Sequence, residues 1–282
     1  MGRTALLILG SLALALYTIA IVLLVVFQGA LIFPAPKVIL FSTPANAGLA
    51  FQDLYLPVDG TTRIHAWWVP ASTPTAKVLL YFHGNAQVLE DEAGHEAPLF
   101  HQTGANLLLV DYRGYGRSSP LAPSGATMAA DARAAMRYLT EQRSAASKDI
   151  FLCGWSIGTG VAAQLATETP HAGGLILFSA ITSVPDIANQ QWIFRYPLRA
   201  AQWLRHTNDF ATKTKIASIH MPLLLMTGSR DSLAQPWMAR QLYARANEPK
   251  TLVLVNEAEH NDIFDMGGDQ IVTQMKRLLV QP

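Results

Sequence analysis

Residues 154–158 read GWSIG, a serine with a glycine two positions to either side. A serine hydroxyl attacks a carbonyl carbon only when a base takes its proton, and that base needs an acid to orient it and stabilise its charge. Two residues downstream have the right types. Asp231 lies in TGSRDSLAQP, and His260 lies in NEAEHND. Taken singly, Asp231 reads as a turn former and His260 as a surface histidine. Taken together they complete the order serine, acid, histidine, and the chemistry of such a set is acyl transfer through an acyl-serine. The competing residues fit less well. Glu257, Glu259 and Asp262 share one short loop with His260, from which side chains rarely reach back to an imidazole. Asp186 and Asp209 come before the strand that should deliver the acid. His171, His206 and His220 precede Asp231 and break the order.

Acyl transfer also needs donors for the tetrahedral oxyanion. One expected donor is the backbone N–H of Ile157, directly after the serine. The other is the backbone N–H of Asn85 in YFHGNAQ, where Gly84 lets the chain turn towards the site. His83 is expected to hold that loop through ring hydrogen bonds. Cys153, the one cysteine, reads as a buried small residue and excludes an internal disulfide.

These residues need a scaffold that brings them to one place. The runs 77–82, 106–112, 149–154, 174–180, 221–228 and 251–256 are apolar throughout or nearly so, as strands buried on both faces require. Segments 49–56 and 62–70 read as an antiparallel pair turning through Pro57-Val58-Asp59-Gly60. Helices are expected over 86–102, 124–142, 156–168, 234–246 and 268–280, the second of them capped by Ser124. The alternation predicts an α/β fold, a mostly parallel sheet with helices on both faces. Ser156 then sits where a buried strand turns into a helix. Gly154 and Gly158 suit a sharp turn there, and the helix N-terminus faces negative charge developing at the serine. Asp231 and His260 fall just past two late strands, at the sheet edge where open α/β sheets hold ligands.

The chain has 282 residues, 50% hydrophobic and 15% charged, with a net charge of +1 and no basic run. Those figures argue against a nucleic-acid surface. Residues 5–27 contain no charge and, at about 1.5 Å per residue, can cross a hydrocarbon core of about 30 Å. The run is too long for an ordinary signal-peptide core and lacks a small-x-small cleavage site, so a retained single-pass anchor is expected. Arg3 precedes it and Lys37 is the one charge before Asp53, which leans towards a catalytic part on the non-cytoplasmic side. The expected organisation is an anchor and connector over 1–34 and a catalytic domain over 35–282. Within that domain, 181–220 interrupts the rhythm with Trp192, Phe194, Tyr196 and Trp203, and reads as a small cap.

The motifs FHGNA (82–86), DYRGYGRSSP (111–120), GWSIGTG (154–160) and GSRD (228–231), with the His260 loop, jointly resemble the α/β-hydrolase superfamily. More narrowly they resemble its small serine hydrolases with one N-terminal membrane anchor. The resemblance runs from about residue 35 to the C-terminus. It implies Ser156 as nucleophile, Asp231 as acid, His260 as base, and Asn85 and Ile157 as oxyanion donors. It also implies ester, thioester or lipid acyl substrates, as for lysophospholipid-type lipases and protein depalmitoylases, with no metal and no organic cofactor. Asp111, Arg113 and Ser118 are expected to brace a loop beside the oxyanion turn, and Trp155, bulky for an elbow, to shape the pocket. A serine peptidase or amidase could use the same triad. A non-catalytic membrane-tethered binding module is the alternative outside enzymes, and the three filled triad positions weigh against it.

Overall fold

Apolar runs bounded by turn residues pair side by side because a strand buried on both faces must satisfy its backbone groups within the sheet. The computed structural model describes residues 2–27, 29, 32–36, 42–190 and 208–280. Among them eight strands form one sheet: β1 (Gln52–Asp59), β2 (Thr62–Val69), β3 (Val78–Phe82), β4 (Asn106–Val110), β5 (Ile150–Trp155), β6 (Gly174–Phe178), β7 (Leu223–Gly228) and β8 (Lys250–Val255). Their order is β1-β2-β4-β3-β5-β6-β7-β8. The β1–β2 and β2–β4 pairs are antiparallel, and all the others are parallel. The expected mostly parallel sheet is therefore present.

The sheet buries both faces. Leu80, Phe82, Leu152 and Leu177 pack with Met128, Ala132 and Ala135 of α4 (Gly125–Arg137) and Val161 and Leu165 of α5 (Gly158–Glu168). Leu79, Tyr81, Phe151, Ile176 and Met226 face the other way. They pack with Ala97 and Phe100 of α3 (Glu96–His101) and with Ile271, Met275 and Leu278 of α9 (Ile263–Leu279). The remaining described helices are α1 (Arg3–Val26), α2 (Leu89–Glu92), α6 (Val184–Gln190), α7 (Thr212–Lys215) and α8 (Pro236–Arg245).

Several boundaries depart from the sequence reading. Residues 86–102 form two short helices, α2 and α3, because Gly94 interrupts the run; Pro98 is tolerated within the first turn of α3. Pro57 is not in the turn. It lies inside β1 opposite Arg63, which a sheet edge permits, and the chain reverses at Gly60-Thr61. Helix α9 starts at Ile263, five residues early, with a kink at Gly268 (φ 14°, ψ −105°). The Gly267-Gly268 pair conceals that first turn.

Helix α1 buries none of its spanning stretch against the domain and leaves Leu7, Ile8, Leu12, Leu14 and Ile19 exposed. It is one helix long and apolar enough to cross a membrane. The described parts of the cap region are α6 and α7, joined by an ion pair between Lys213 Nζ and Asp186 Oδ2 at 2.7 Å. Trp192, Phe194, Tyr196 and Trp203 lie outside the described residues.

Helix α2 carries one carboxyl into the interior. Glu92 is fully buried near Glu96, Tyr81 and Cys153. Burial above all, then the Glu96 carboxyl, pushes its pKa well above the usual value. The folded chain therefore holds a proton that the unfolded chain releases above about 4.5, and stability falls as pH rises past that point. Glu92→Gln should remove this slope. Melting curves at pH 5 and pH 8 should show the variant gaining on the wild type at the higher pH. An equal difference at both would mean that Glu92 folds ionised.

Candidate active site

Ser156 follows β5 with φ 53°, a left-handed conformation unusual for a residue with a side chain. Its N–H bonds to Phe178 O at 3.0 Å, and its own carbonyl accepts from Thr159 N–H at 3.1 Å. Both flanking glycines are sterically required. A Cβ on Gly154 would strike the backbone of Gly158, and one on Gly158 would strike the Phe82 and His83 carbonyls. The tight turn leaves the serine hydroxyl projecting at the carboxyl end of the sheet.

Asp231 stands just beyond β7 and His260 beyond β8, as the sequence reading required. One Asp231 oxygen, Oδ1, accepts from the N–H groups of Leu233 at 3.0 Å and Ala234 at 2.7 Å. The other, Oδ2, is 2.9 Å from His260 Nδ1, and His260 Nε2 is 2.9 Å from Ser156 Oγ. With Asp231 accepting at Nδ1–H, the bare Nε2 faces the serine proton. Asp231 is 2% exposed, and Ser156 and His260 are each 8% exposed, so the chain of bonds is largely screened from water. Three of the acidic competitors are engaged elsewhere. Glu257 pairs with Arg230, Asp262 accepts from Glu259 N–H, and Asp186 pairs with Lys213. His171 and His220 are exposed, and His206 lies outside the described residues.

Beyond its place in the GSRD motif, Gly228 had no role in the sequence reading. A Cβ there would strike Ala258, in the loop that carries His260. With that space free, Arg230 N–H bonds to Ala258 O at 2.9 Å and Ser229 N–H to Val255 O at 2.8 Å, which ties the two loops together.

Asn85 and Ile157 line the same cavity as Ser156. The Asn85 side chain is clamped: its Nδ2 donates to Ile32 O at 2.5 Å and its Oδ1 accepts from Tyr115 Oη at 2.9 Å. His83 has the bracing position expected of it. Its Nδ1 lies 2.7 Å from Gly84 O, its Nε2 lies 3.4 Å from Asp111 Oδ1, and its carbonyl accepts from Tyr112 Oη at 3.0 Å. Gly84 is needed for a different reason from the one expected. A Cβ on it would press into the Trp155 ring at 2.7 Å, while the positive φ of this loop falls at Ala86. Trp155 itself stacks on the His260 ring, with centroids 5.6 Å apart, and is not among the cavity-lining residues.

The loop over 111–120 is held from beneath. Asp111 accepts from Leu89 N–H at 3.0 Å and faces His65 Nδ1 at 3.3 Å. Burial works to raise its pKa, but the bonds to His65 and His83 outweigh burial and keep it below the usual carboxylate value. Ser118 Oγ donates to Asp111 O at 2.9 Å, and Arg113 pairs with Asp131 of α4 at 2.7 Å. Asp131 was not singled out from sequence. Its one signal is a carboxylate among the alanines of the buried helix face.

The cavity at Ser156 measures about 220 Å³ and is lined by Ile32, Ile157, Ile181, Val184, Ile187 and Leu233 besides Ser156 and Asn85. A larger cleft of about 330 Å³, near Arg133, Gln164 and Lys215, contains none of the three triad residues. Among the described residues no cluster of three or more His, Cys, Asp and Glu side chains could hold a metal ion.

Comparison with known proteins agrees with the fold. Residues 77–253 match the family model described as alpha/beta hydrolase fold. The chain is 32% identical over 235 residues to an uncharacterized protein of Mycobacterium tuberculosis, covering 82% of this chain and 80% of that protein. It is 27% identical over 266 residues to the alpha/beta hydrolase domain-containing protein WAV2 of Arabidopsis thaliana, covering 88% and 86%. The solved structure of an esterase from Pyrococcus furiosus superposes with a TM-score of 0.71 at 19% identity, over 87% of this chain and 97% of that one. At that identity the likeness is one of fold.

Proposed function

Because the chain belongs to the α/β-hydrolase fold family, we propose that it is a serine hydrolase cleaving carboxylic esters or thioesters through an acyl-enzyme on Ser156. The observation that carries this reading is the unbroken hydrogen-bonded line from Asp231 through His260 to Ser156 Oγ. In the first half-reaction His260 Nε2 takes the Oγ proton as Oγ bonds to the acyl carbon. The carbonyl oxygen becomes an oxyanion, which the N–H groups of Asn85 and Ile157 receive. His260 then passes its proton to the departing oxygen or sulfur, and the acyl–leaving-group bond breaks. In the second half, water loses a proton to His260 and attacks the acyl carbon, and the acyl–Oγ bond breaks as His260 returns that proton to Ser156 Oγ. Asp231 keeps the imidazole turned and stabilises its positive form throughout. The isoleucine, valine and leucine lining supports an apolar acyl group.

The test is hydrolysis of p-nitrophenyl esters from acetyl to palmitoyl by the detergent-purified full chain. Saturable turnover is expected, favouring apolar acyl groups over acetyl. Turnover confined to amides or peptides would replace this reading with a peptidase. The exposed apolar helix supports membrane attachment. Removing residues 1–27 should spare hydrolysis of soluble esters and reduce it on vesicle-borne ones, and equal vesicle activity would argue against the anchor.

A further inference from the structure

The connector between α1 and the domain does more than join them. Ile32 lines the cavity that holds Ser156 Oγ, and Ile32 O accepts the 2.5 Å bond that fixes the Asn85 side chain. Phe33 is buried in the core, with its ring edge-on to Phe210 at 5.8 Å, where the chain returns from the cap region. Pro36 O accepts from Gly116 N–H at 3.0 Å. Three successive anchor points thus press this strap onto the oxyanion loop, the cap return and the 111–120 loop. Ile32 is also only six residues beyond the end of α1 at Val26. Even fully extended, six residues span about 20 Å. The site is therefore held close to the end of the helix that would meet the bilayer.

From this arrangement we infer that Ile32 is a specificity-determining residue: its side chain forms one wall of the acyl pocket and limits how long an acyl chain the enzyme accepts. This rests on the reading of Ser156 as an acyl-forming nucleophile. The pocket's size gives the class. At about 220 Å³ it is smaller than the roughly 300–1,000 Å³ of sites that enclose drug-sized ligands. It suits short to medium apolar acyl groups, and a segment tied to the membrane helix shares its lining with Ile181, Val184 and Ile187. In many chains a connector of this kind is only a spacer. Here one of its residues lines the cavity of the reacting serine.

The experiment compares the full-length chain with Ile32→Trp, Ile32→Ala, Ile32→Val and the exposed strap control Pro34→Ala. The readout is the ratio of kcat/KM for octanoyl over acetyl p-nitrophenyl esters. Ile32→Trp should lower the ratio at least about tenfold, since crowding an apolar pocket by a few carbons commonly shifts discrimination that far. Ile32→Ala should move the best chain length upward, Ile32→Val should move it the same way by less, and Pro34→Ala should not change the profile. A ratio that is the same in all five proteins overturns the inference, and so does a uniform loss across chain lengths. The parallel measurement is the rate at which butyl and octyl fluorophosphonates label Ser156, where Oγ bonds to phosphorus, fluoride leaves and His260 takes the proton. If esters are not hydrolysed yet the labelling ratio moves with residue 32, the ester reading falls and the pocket assignment stands. If Ser156 is not labelled in any variant, both fall.

Discussion

Ser156→Ala should lower kcat on the preferred ester by about 10⁴- to 10⁶-fold, with KM changed far less. The size follows from what the hydroxyl does. Without Oγ there is no acyl-enzyme, and hydrolysis must proceed by direct water attack helped only by the oxyanion donors and by binding. The fold should survive the change. Alanine adopts the 53° φ of this position no worse than serine, and the elbow is held by backbone bonds to Phe178 and Thr159 that do not involve Oγ. His260→Ala should cost about as much, and the double variant little more than either, because the two residues act as one unit. Asp231→Asn is the sharper probe. Its Oδ1 is already committed to Leu233 and Ala234, so the new amide would face His260 Nδ1 and favour the wrong tautomer, for a loss of about 10⁴-fold with little change in melting temperature. Steady-state rates with active-site titration decide this. An Ser156→Ala protein within tenfold of wild type would show that the reaction does not use this serine.

The legible part of the molecule was the part written in local pattern. Runs such as VLLYF and LLLMTG are buried on both faces, so their apolar character announces parallel strands, and the strand-to-helix glycines announce the elbow. Once strand order is granted, Asp231 and His260 can be placed by counting strand ends. What stayed hidden depends on contacts distant in sequence. Asp131 looks like any helix acid until Arg113 folds against it, and Gly228 looks like a turn glycine until the Ala258 backbone is beside it. Ile32 sits in a proline-broken segment with no periodicity, so nothing local marks it as lining a cavity 124 residues before the serine it faces. Trp155 was legible as unusual, but sequence could not show whether it faces the pocket or the back of the histidine.

The second large effect is on stability, at the ion pair under the 111–120 loop. Arg113 is 7% exposed in its side chain and Asp131 1%. Arg113 gives Nε and Nη2 to Asp131 Oδ1 at 2.9 and 2.7 Å, and its backbone N–H to Oδ2 at 2.9 Å. Even so, burial outweighs these bonds, and the Asp131 pKa is raised. Burial already disfavours the Asp131 charge, so Arg113→Ala strands a buried carboxylate. The expected loss is about 3–5 kcal/mol. For a chain of this size that is a fall in Tm of roughly 6–20 °C. The sign of the pH dependence separates this cause from a simple loss of packing. Without the guanidinium the Asp131 pKa rises further, and the folded state gains by keeping its proton. Stability of the variant should therefore fall more steeply than wild type as pH rises above the ordinary 3.8 of an aspartate. Melting curves between pH 5 and pH 8 should show the gap between the proteins widening with pH. Asp131→Ala removes the stranded charge but leaves Arg113 unpaired beside the exposed Asp59, 3.6 Å away and able to serve as a partial partner, so its loss should be the smaller. Activity should follow stability here, because the same loop carries Tyr115, whose hydroxyl holds Asn85 at the oxyanion site.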